Sequence, residues 1–291
     1  MPLFQSMVGR SGGPAIETVE PRWLMNYAAS MGDMMPVYYD TLASKPIPAH
    51  PAYVSHLEWD AISRLYDELP EINAADRLRS LHIFNDTTLH NPIQAGDRLS
   101  SEATVVGIES GRSGVRLTVR TDTQNQDASP VSTSYTSTVY RDSQFTGNAI
   151  CPELPDPAPA EGWDDELTRT GHIDVSPIAA HVFSECARDY NPVHTDIAVA
   201  TDAGLPGLIL HGTGTIAMVL SDLVSHEAHA DPSMVLRFRA RLGAMVLCPS
   251  RVKLVVKPHL TDPLAFRLEA LTDDGSPAIK DGFFALREEK K

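Results

Sequence analysis

The segment from Asp189 to His194 places a carboxylate, an amide and an imidazole within six residues. Pro192 cannot continue a helix and biases Asn191 toward extended geometry, so we expect a fixed turn at a helix end. Such a turn can aim Asp189 and His194 at one water molecule, which suits general acid and base chemistry. Asn191 does not titrate and would orient the water or the substrate by hydrogen bonding. The same residues also fit an ordinary Asn-Pro turn with a structural histidine.

A second segment, GLPGLILHGTGT at 204–215, is an apolar approach that ends in His211 and Gly212. We expect a long helix to begin there. The first N–H groups of a helix lack intrahelical acceptors, its dipole is positive at that end, and glycine allows a ligand oxygen to come close. The pattern therefore indicates an oxyanion hole at the start of this helix. It also fits glycines that merely let a helix begin against a strand.

The elements that must position these segments occur twice along the chain. Hydrophobic spacing predicts a strand at 165–175, a helix from Ser176 to about Arg188, and a long helix from Gly212 to about Glu227. Four strands follow, at 234–242, 251–260, 264–271 and 278–287. The first half repeats this order, with helices at 23–31 and 52–69 and strands at 80–90, 98–108, 115–123 and 131–141. We infer a duplicated α+β unit, each copy an antiparallel sheet wrapped around a long helix.

A proline-rich stretch separates the two copies. Prolines stand at 152, 155, 157 and 159 among acidic residues and glycines, a composition typical of a semi-rigid linker. We therefore expect an N-terminal unit at 1–145, a linker at 146–164 and a C-terminal unit at 165–291, which carries both chemical segments.

The pattern D-x-N-P-x-H, followed by AGLPGLILHG and a long helix, resembles the hydratase 2 motif of the MaoC-like enoyl-CoA hydratases, which are hotdog-fold enzymes. The strand that begins at Leu81 with Leu-His-x-Phe and the turn at 91–99 extend this similarity over nearly the whole chain. The resemblance implies the double hotdog of the (R)-specific enzymes. The sequence departs from the family pattern in two places. Arg188 stands where glycine is usual, and residues 245–249 replace a Pro-Val-x-Pro-Gly turn.

The resemblance implies a hydro-lyase that reversibly hydrates trans-2-enoyl-CoA to (3R)-3-hydroxyacyl-CoA. Asp189 and His194 would be the acid–base pair, Asn191 their polar helper, and the Gly212 N–H the donor to the thioester oxygen. No metal and no cofactor is implied, because coenzyme A is part of the substrate. Three alternatives stay open: a 3-hydroxyacyl thioester dehydratase for carrier-bound or specialised steroid or branched substrates, a thioester hydrolase, and a non-catalytic acyl-binding subunit.

The duplication provides an internal comparison. The first-half counterpart of the catalytic turn, Asp33–Tyr38, keeps the aspartate and the proline but lacks the amide and the imidazole. His211 and Gly212 are matched by His50 and Pro51, and proline has no N–H to offer. We predict one active site per chain, with the first half walling the acyl chain. The candidates for an adaptable apolar lining are Met31, Met34, Met35, Tyr38 and Tyr39.

Charge and composition limit the partners. The chain has 24 Lys plus Arg against 38 Asp plus Glu, a net charge of −14, which repels nucleic acid and anionic membranes. An anionic coenzyme A then requires local cations. Arg237, Arg239 and Arg241 alternate with apolar residues and share one face of a strand. We expect phosphate contacts there, and the family resemblance favours Arg239 and Arg241.

The remaining features concern location and assembly. Cys151, Cys186 and Cys248 form neither a CxxC pair nor an even framework, so neither zinc nor a disulfide scaffold is indicated. The chain shows no apolar signal region, no run of 18 apolar residues and no final Ser-Lys-Leu. We therefore expect a cytoplasmic protein, and we keep homodimer formation as a further expectation.

Overall fold

Two halves of similar design make up the chain in the computed structural model, which describes residues 2–288. The final tripeptide, which the sequence analysis compared with a peroxisomal signal, lies outside the described residues. The first half contains β1 (Pro2–Phe4), β2 (Ala15–Thr18), α1 (Pro21–Ser30), α2 (Val54–Asp67), α3 (Ala74–Arg79), β3 (Leu81–Leu89), β4 (Arg98–Gly111), β5 (Gly114–Gln124), β6 (Pro130–Tyr140) and β7 (Gln144–Thr146).

The second half repeats this plan from residue 169 onward. It contains β8 (Arg169–Val175), α4 (Ala179–Ala187), α5 (Ile197–Asp202), α6 (Gly212–Glu227), β9 (Val235–Leu242), β10 (Ser250–Pro258), β11 (Ala265–Leu271) and β12 (Pro277–Leu286). The sequence missed the short strand β2, the first-half counterpart of β8, and the helix α3. Both are too short for periodicity to reveal, although Asn73 and Asp76 form a capping box at the start of α3.

Ten strands of residues 2–288 belong to one continuous antiparallel sheet, in the order β2-β4-β5-β6-β3-β9-β12-β11-β10-β8. Each half contributes five strands around its own long helix, so the predicted double hotdog is confirmed. The two sheets are nevertheless not separate, because β3 pairs antiparallel with β9. This pairing satisfies the backbone groups of what would otherwise be two exposed sheet edges.

The two long helices pack their apolar faces against the sheet, as the spacing predicts. The buried positions of α6 include Ile216, Val219, Leu220, Leu223 and Val224. Those of α2 include Val54, Leu57, Ala61, Ile62 and Leu65. Among the helices of residues 2–288, none has the combined length and apolar character needed to cross a membrane. The buried faces of α2 and α6 form part of the interior, and the start of α6 lies beside His82 of β3.

Candidate active site

A cavity of about 510 Å³ lies between the two halves of the molecule. The second half contributes Asp189, Asn191, His194 and Gly212 to its wall. The first half contributes one face of α2, including Ser55, Glu58, Trp59, Ile62 and Tyr66, together with the start of β3. The structure thus brings the four residues of the predicted catalytic set to one cavity. Their chemical roles stay a prediction.

The turn that carries Asp189 begins where α4 ends. Arg188 follows the helix in the left-handed conformation, with φ of 54°, a geometry that favours glycine. Its guanidinium lies 4.3 Å from the Trp23 ring centroid and 3.4 Å from a Glu17 carboxylate oxygen. These contacts hold the side chain of Arg188, which stands at a position where the family pattern has glycine.

Asn191 stabilises the turn itself. Its Oδ1 accepts a hydrogen bond from the Val193 N–H at 3.3 Å, and Pro192–His194 form a single 3₁₀ turn. This is a cap for the short helix, as expected for asparagine before proline. The Asn191 side chain therefore stabilises the turn through Oδ1, and its amide nitrogen is the atom available to a ligand in the cavity.

His194 is held with one ring nitrogen available. Its Nδ1 donates to the backbone oxygen of Ile209 at 2.9 Å, which assigns the proton of the neutral ring to Nδ1 and leaves Nε2 with a lone pair. Burial, followed by the neighbouring His211, lowers the pKa of His194 to about 4. The imidazole is therefore neutral at pH 7 and able to accept a proton from a group in the cavity.

The carboxylate of Asp189 is also unsatisfied. Its Oδ1 is buried and forms no hydrogen bond with residues 2–288. Burial raises the pKa of Asp189, while His194 and the backbone N–H of Asn191 oppose that rise. An orphaned buried carboxylate oxygen with increased proton affinity is typical of a functional site rather than of a stabilising contact.

Gly212 is the first residue of α6, and its N–H belongs to the helical turn that lacks intrahelical acceptors. An ideal Cβ on Gly212 would lie 2.5 Å from Leu242 Cδ1 and 3.6 Å from His82 Nδ1. Only glycine leaves this approach to the backbone open without displacing Leu242. The positive end of the α6 dipole adds to the attraction for a developing oxyanion.

Two further histidines, which the sequence analysis did not assign to the site, line the same cavity. His211 is buried, and its Nε2 donates to the backbone oxygen of Asp189 and also lies 3.1 Å from Ser184 Oγ. His82, from β3, donates from Nε2 to the backbone oxygen of Phe84 at 3.0 Å, and burial lowers its pKa to about 4. Both had a sequence signal, since His211 precedes Gly212 and His82 is the histidine of the Leu-His-x-Phe strand that extends the family resemblance.

The arginine stripe faces away from the cavity. Arg237 forms a two-pronged pair with Asp86 at 2.8 and 2.7 Å, Arg239 lies 4.0 Å from the same carboxylate, and Arg241 contacts Asp281 at 2.7 Å. None of the three arginines lines the cavity. The alternation does place them on one face of β9, but the opposite face, with Leu242, is the one turned inward.

Other cations stand at the cavity instead. Arg77, Arg79 and Arg141 line it from the first half, and Arg79 and Arg141 are exposed. Exposed side chains on a cavity wall mark the end that opens to solvent. Among residues 2–288, no group of three or more His, Cys, Asp or Glu side chains is arranged to hold a metal ion.

The equivalent position in the first half is filled. His50 precedes Pro51 there and lies 4.0 Å from Asp33 Oδ2, but the space beside it is only about 20 Å³. The guanidinium of Arg287 also lines this space, donating to the backbone oxygens of Leu89 and Val235 at 3.0 and 2.8 Å. The first-half copy therefore has neither the N–H of a glycine nor room for a substrate.

The methionine and tyrosine group proposed as an apolar lining is not on the cavity wall. Met31 and Tyr38 are buried in the interior of the first half, whereas Met34 is 77% exposed. The turn at 33–38 packs elsewhere, with the Tyr38 ring centroid 5.7 Å from that of His50. The first-half lining comes from that helix instead.

Comparisons with known proteins relate the two halves to known families. Residues 162–259 match the family model described as MaoC like domain, and residues 6–134 match the one described as FAS1-like, dehydratase domain region. A UPF0336 protein of Saccharopolyspora erythraea is 30% identical over 163 residues, which cover 54% of this chain and 99% of that protein.

Two solved structures share the fold. A MaoC-like dehydratase from Phytophthora capsici superimposes with a TM-score of 0.83 at 18% identity, over 97% of each chain. A Mycobacterium tuberculosis protein described as having a double hotdog fold gives a TM-score of 0.63 at 15% identity, over 96% of each chain. At these identities the similarity concerns the fold.

Proposed function

The chain belongs to the MaoC-like dehydratase family, and we propose from this that it reversibly hydrates trans-2-enoyl-CoA to (3R)-3-hydroxyacyl-CoA. One observation carries the proposal: the orphaned Asp189 oxygen, the Nε2 of neutral His194 and the N–H of Gly212 all belong to one cavity. A carbonyl bound at Gly212 would place its conjugated carbons beside the acid–base pair. Family membership supports the (3R) product.

In the proposed reaction, Asp189 and His194 hold a water molecule and take one of its protons as its oxygen adds to C3. The electron pair of the double bond moves toward the thioester, and the N–H of Gly212 stabilises the enolate oxygen. The protonated member of the pair then delivers a proton to C2. The net change is addition of one water molecule, and the same groups acting in reverse perform dehydration.

We further propose that Arg77, Arg79 and Arg141, rather than the stripe on β9, contact the phosphates of coenzyme A. They line the cavity, and two of them are exposed, as expected where the phosphate-bearing part of coenzyme A extends from a buried site to solvent. Their charge is local, so it acts against the net charge of −14 of the whole chain. Arginine also offers paired donors that suit phosphate oxygens.

The proposal is tested by hydration of crotonyl-CoA, followed through the loss of enoyl thioester absorbance. Asp189→Asn and His194→Ala should each lower kcat by about a hundredfold or more, because each removes an acid–base group. Asp33→Asn is the matched control, since Asp33 occupies the same turn of the other half but does not line the cavity. Full activity in Asp189→Asn would reject the assignment.

The match to a FAS1-like dehydratase region favours one second candidate, dehydration of 3-hydroxyacyl groups on a carrier protein. A carrier presents one phosphate on its pantetheine arm, whereas coenzyme A presents three. Parallel assays with both forms of the same acyl group separate the two. A kcat/KM at least tenfold higher with the carrier would support this candidate.

A further inference from the structure

A buried carboxyl group lines the cavity wall. Glu58 lies on the face of α2 that lines the cavity, and the residue is only 4% exposed. Within residues 2–288 it has no ion pair. Burying a carboxyl group without a partner is costly, and an apolar residue at this position would pack more favourably against an alkyl chain.

The sheet beneath Glu58 is polar as well. Ser134 on β6 donates to Glu58 Oε1, and its Oγ lies 2.9 Å from that of Thr87 on β3. Thr87 in turn donates to Asn85 Oδ1 at 3.1 Å. All four residues are buried. The network orients one oxygen of Glu58 and holds the carboxyl group in place.

The equivalent part of the sheet in the second half is apolar. The corresponding strands there present apolar side chains to the core, among them Phe238, Ala240, Leu268 and Phe284. The polar patch under α2 is therefore a property of the first half and not of the duplicated fold. Two of its hydroxyl groups, on Thr121 and Ser132, are buried and have no hydrogen-bond partner among residues 2–288.

The two carboxyl oxygens of Glu58 differ in their hydrogen bonding. No hydrogen bond from residues 2–288 reaches Oε2, while Oε1 is occupied by Ser134. Burial raises the pKa of Glu58 to about 7, so near neutral pH the group is available as a protonated acid that can donate a hydrogen bond as well as accept one. A hydroxyl group is the ligand that matches both capacities.

We propose that Glu58 is a specificity-determining residue that binds a hydroxyl group carried by the acyl chain of the substrate, beyond the carbons that react. The inference rests on the proposed function, because it concerns the chain that enters the same cavity. It defines the preferred substrate class as hydroxylated acyl thioesters. An unsubstituted alkyl chain leaves the buried carboxyl group without its partner.

The test uses saturated acyl-CoA thioesters, which cannot be hydrated, so that binding is measured apart from catalysis. A series of equal chain length carries a hydroxyl group at successive positions, with the unsubstituted chain as reference, and Kd is measured by calorimetry. The wild-type protein should bind one hydroxylated isomer about tenfold or more tightly than the reference, the size of a hydrogen bond to a buried polar group.

Glu58→Leu should abolish this preference, read as the ratio of the two Kd values within the variant. Glu58→Gln keeps the shape and should retain part of it, which covers the case in which the leucine variant does not fold. Asp60→Leu is the matched control. Asp60 lies on the exposed face of the same helix and does not line the cavity, so this variant should keep the preference.

An equal preference in wild type and Glu58→Leu overturns the inference, as does a wild type without preference at any position. Either result leaves the proposed function standing if crotonyl-CoA is still hydrated. Conversely, if the wild type shows the preference in its Kd values and yet fails to hydrate the matching enoyl thioesters, that result would reject the proposed function and leave the binding role of Glu58 intact. The two failures are therefore distinguishable.

Discussion

The imidazole rings of His194 and His211 stack, with centroids 3.7 Å apart and planes inclined by 26°. His211 is fixed by Ser184 and by the backbone oxygen of Asp189, so one buried ring contacts both members of the proposed acid–base pair. Burial lowers the pKa of His211 to about 4, as it does that of His194. The stack is therefore a pair of neutral rings at pH 7, and we infer that His211 is a positioning residue.

The protonation of His194 can be observed directly. Because burial lowers its pKa to about 4, its ring should not titrate between pH 8 and pH 5, whereas an exposed histidine titrates near 6.5 in that window. NMR of histidine-labelled protein measures this, with His194→Ala to assign the signal. A His194 midpoint near 6.5 would show that the ring is not desolvated as described.

Replacing His211 should disturb His194 through the lost contact. In His211→Ala, water can enter the vacated space, so the pKa of His194 should rise toward its ordinary value and kcat should fall by about tenfold or more. His211→Phe keeps a flat ring against His194 but loses both hydrogen bonds, and should lie between the two proteins. A fall in kcat without any movement of the His194 titration would contradict a positioning role.

The cations at the cavity mouth can be compared with those on β9. Arg79→Glu should raise KM for crotonyl-CoA by about tenfold or more and change little for crotonyl N-acetylcysteamine, which has no phosphate. Arg241→Glu is the matched charge reversal outside the cavity, and both KM values should stay near wild type. The opposite ranking of the two variants would return the phosphate site to the stripe on β9.

Glu58 should make stability depend on pH. Its pKa is about 7 in the folded protein against 4.5 for the free group, so the folded state holds a proton that the unfolded state has lost between these values. That stabilisation is present below pH 4.5 and disappears as the pH rises through 7. From pH 5 to pH 8, Glu58→Gln should therefore gain on the order of 2 kcal/mol in unfolding free energy relative to wild type.

Urea denaturation at several pH values measures this difference. Glu269→Gln, an exposed replacement of the same kind on β11, is measured in parallel as the control for the loss of one carboxyl group. A constant difference between wild type and Glu58→Gln from pH 5 to pH 8 would mean that the carboxyl group is charged in both states.

Local sequence was sufficient for the two long helices, for the long strands and for the turn that carries three of the predicted site residues. The apolar residues of α2 and α6 recur at helical spacing, and they are buried as expected. Asp189, Asn191 and His194 are held by one turn, and the chemistry of Asn191-Pro192 fixes that turn within a few residues. Such features depend on neighbours along the chain, which is why the sequence reveals them.

The tertiary structure decided what faces the cavity. Pairing of β3 with β9 brings His82 beside Gly212, although 130 residues separate them along the chain. The same sheet turns the arginines of β9 outward, and α2 supplies Glu58 to the wall. Strand alternation tells which residues share a face but not which face is inward, because that depends on how the two halves pack together.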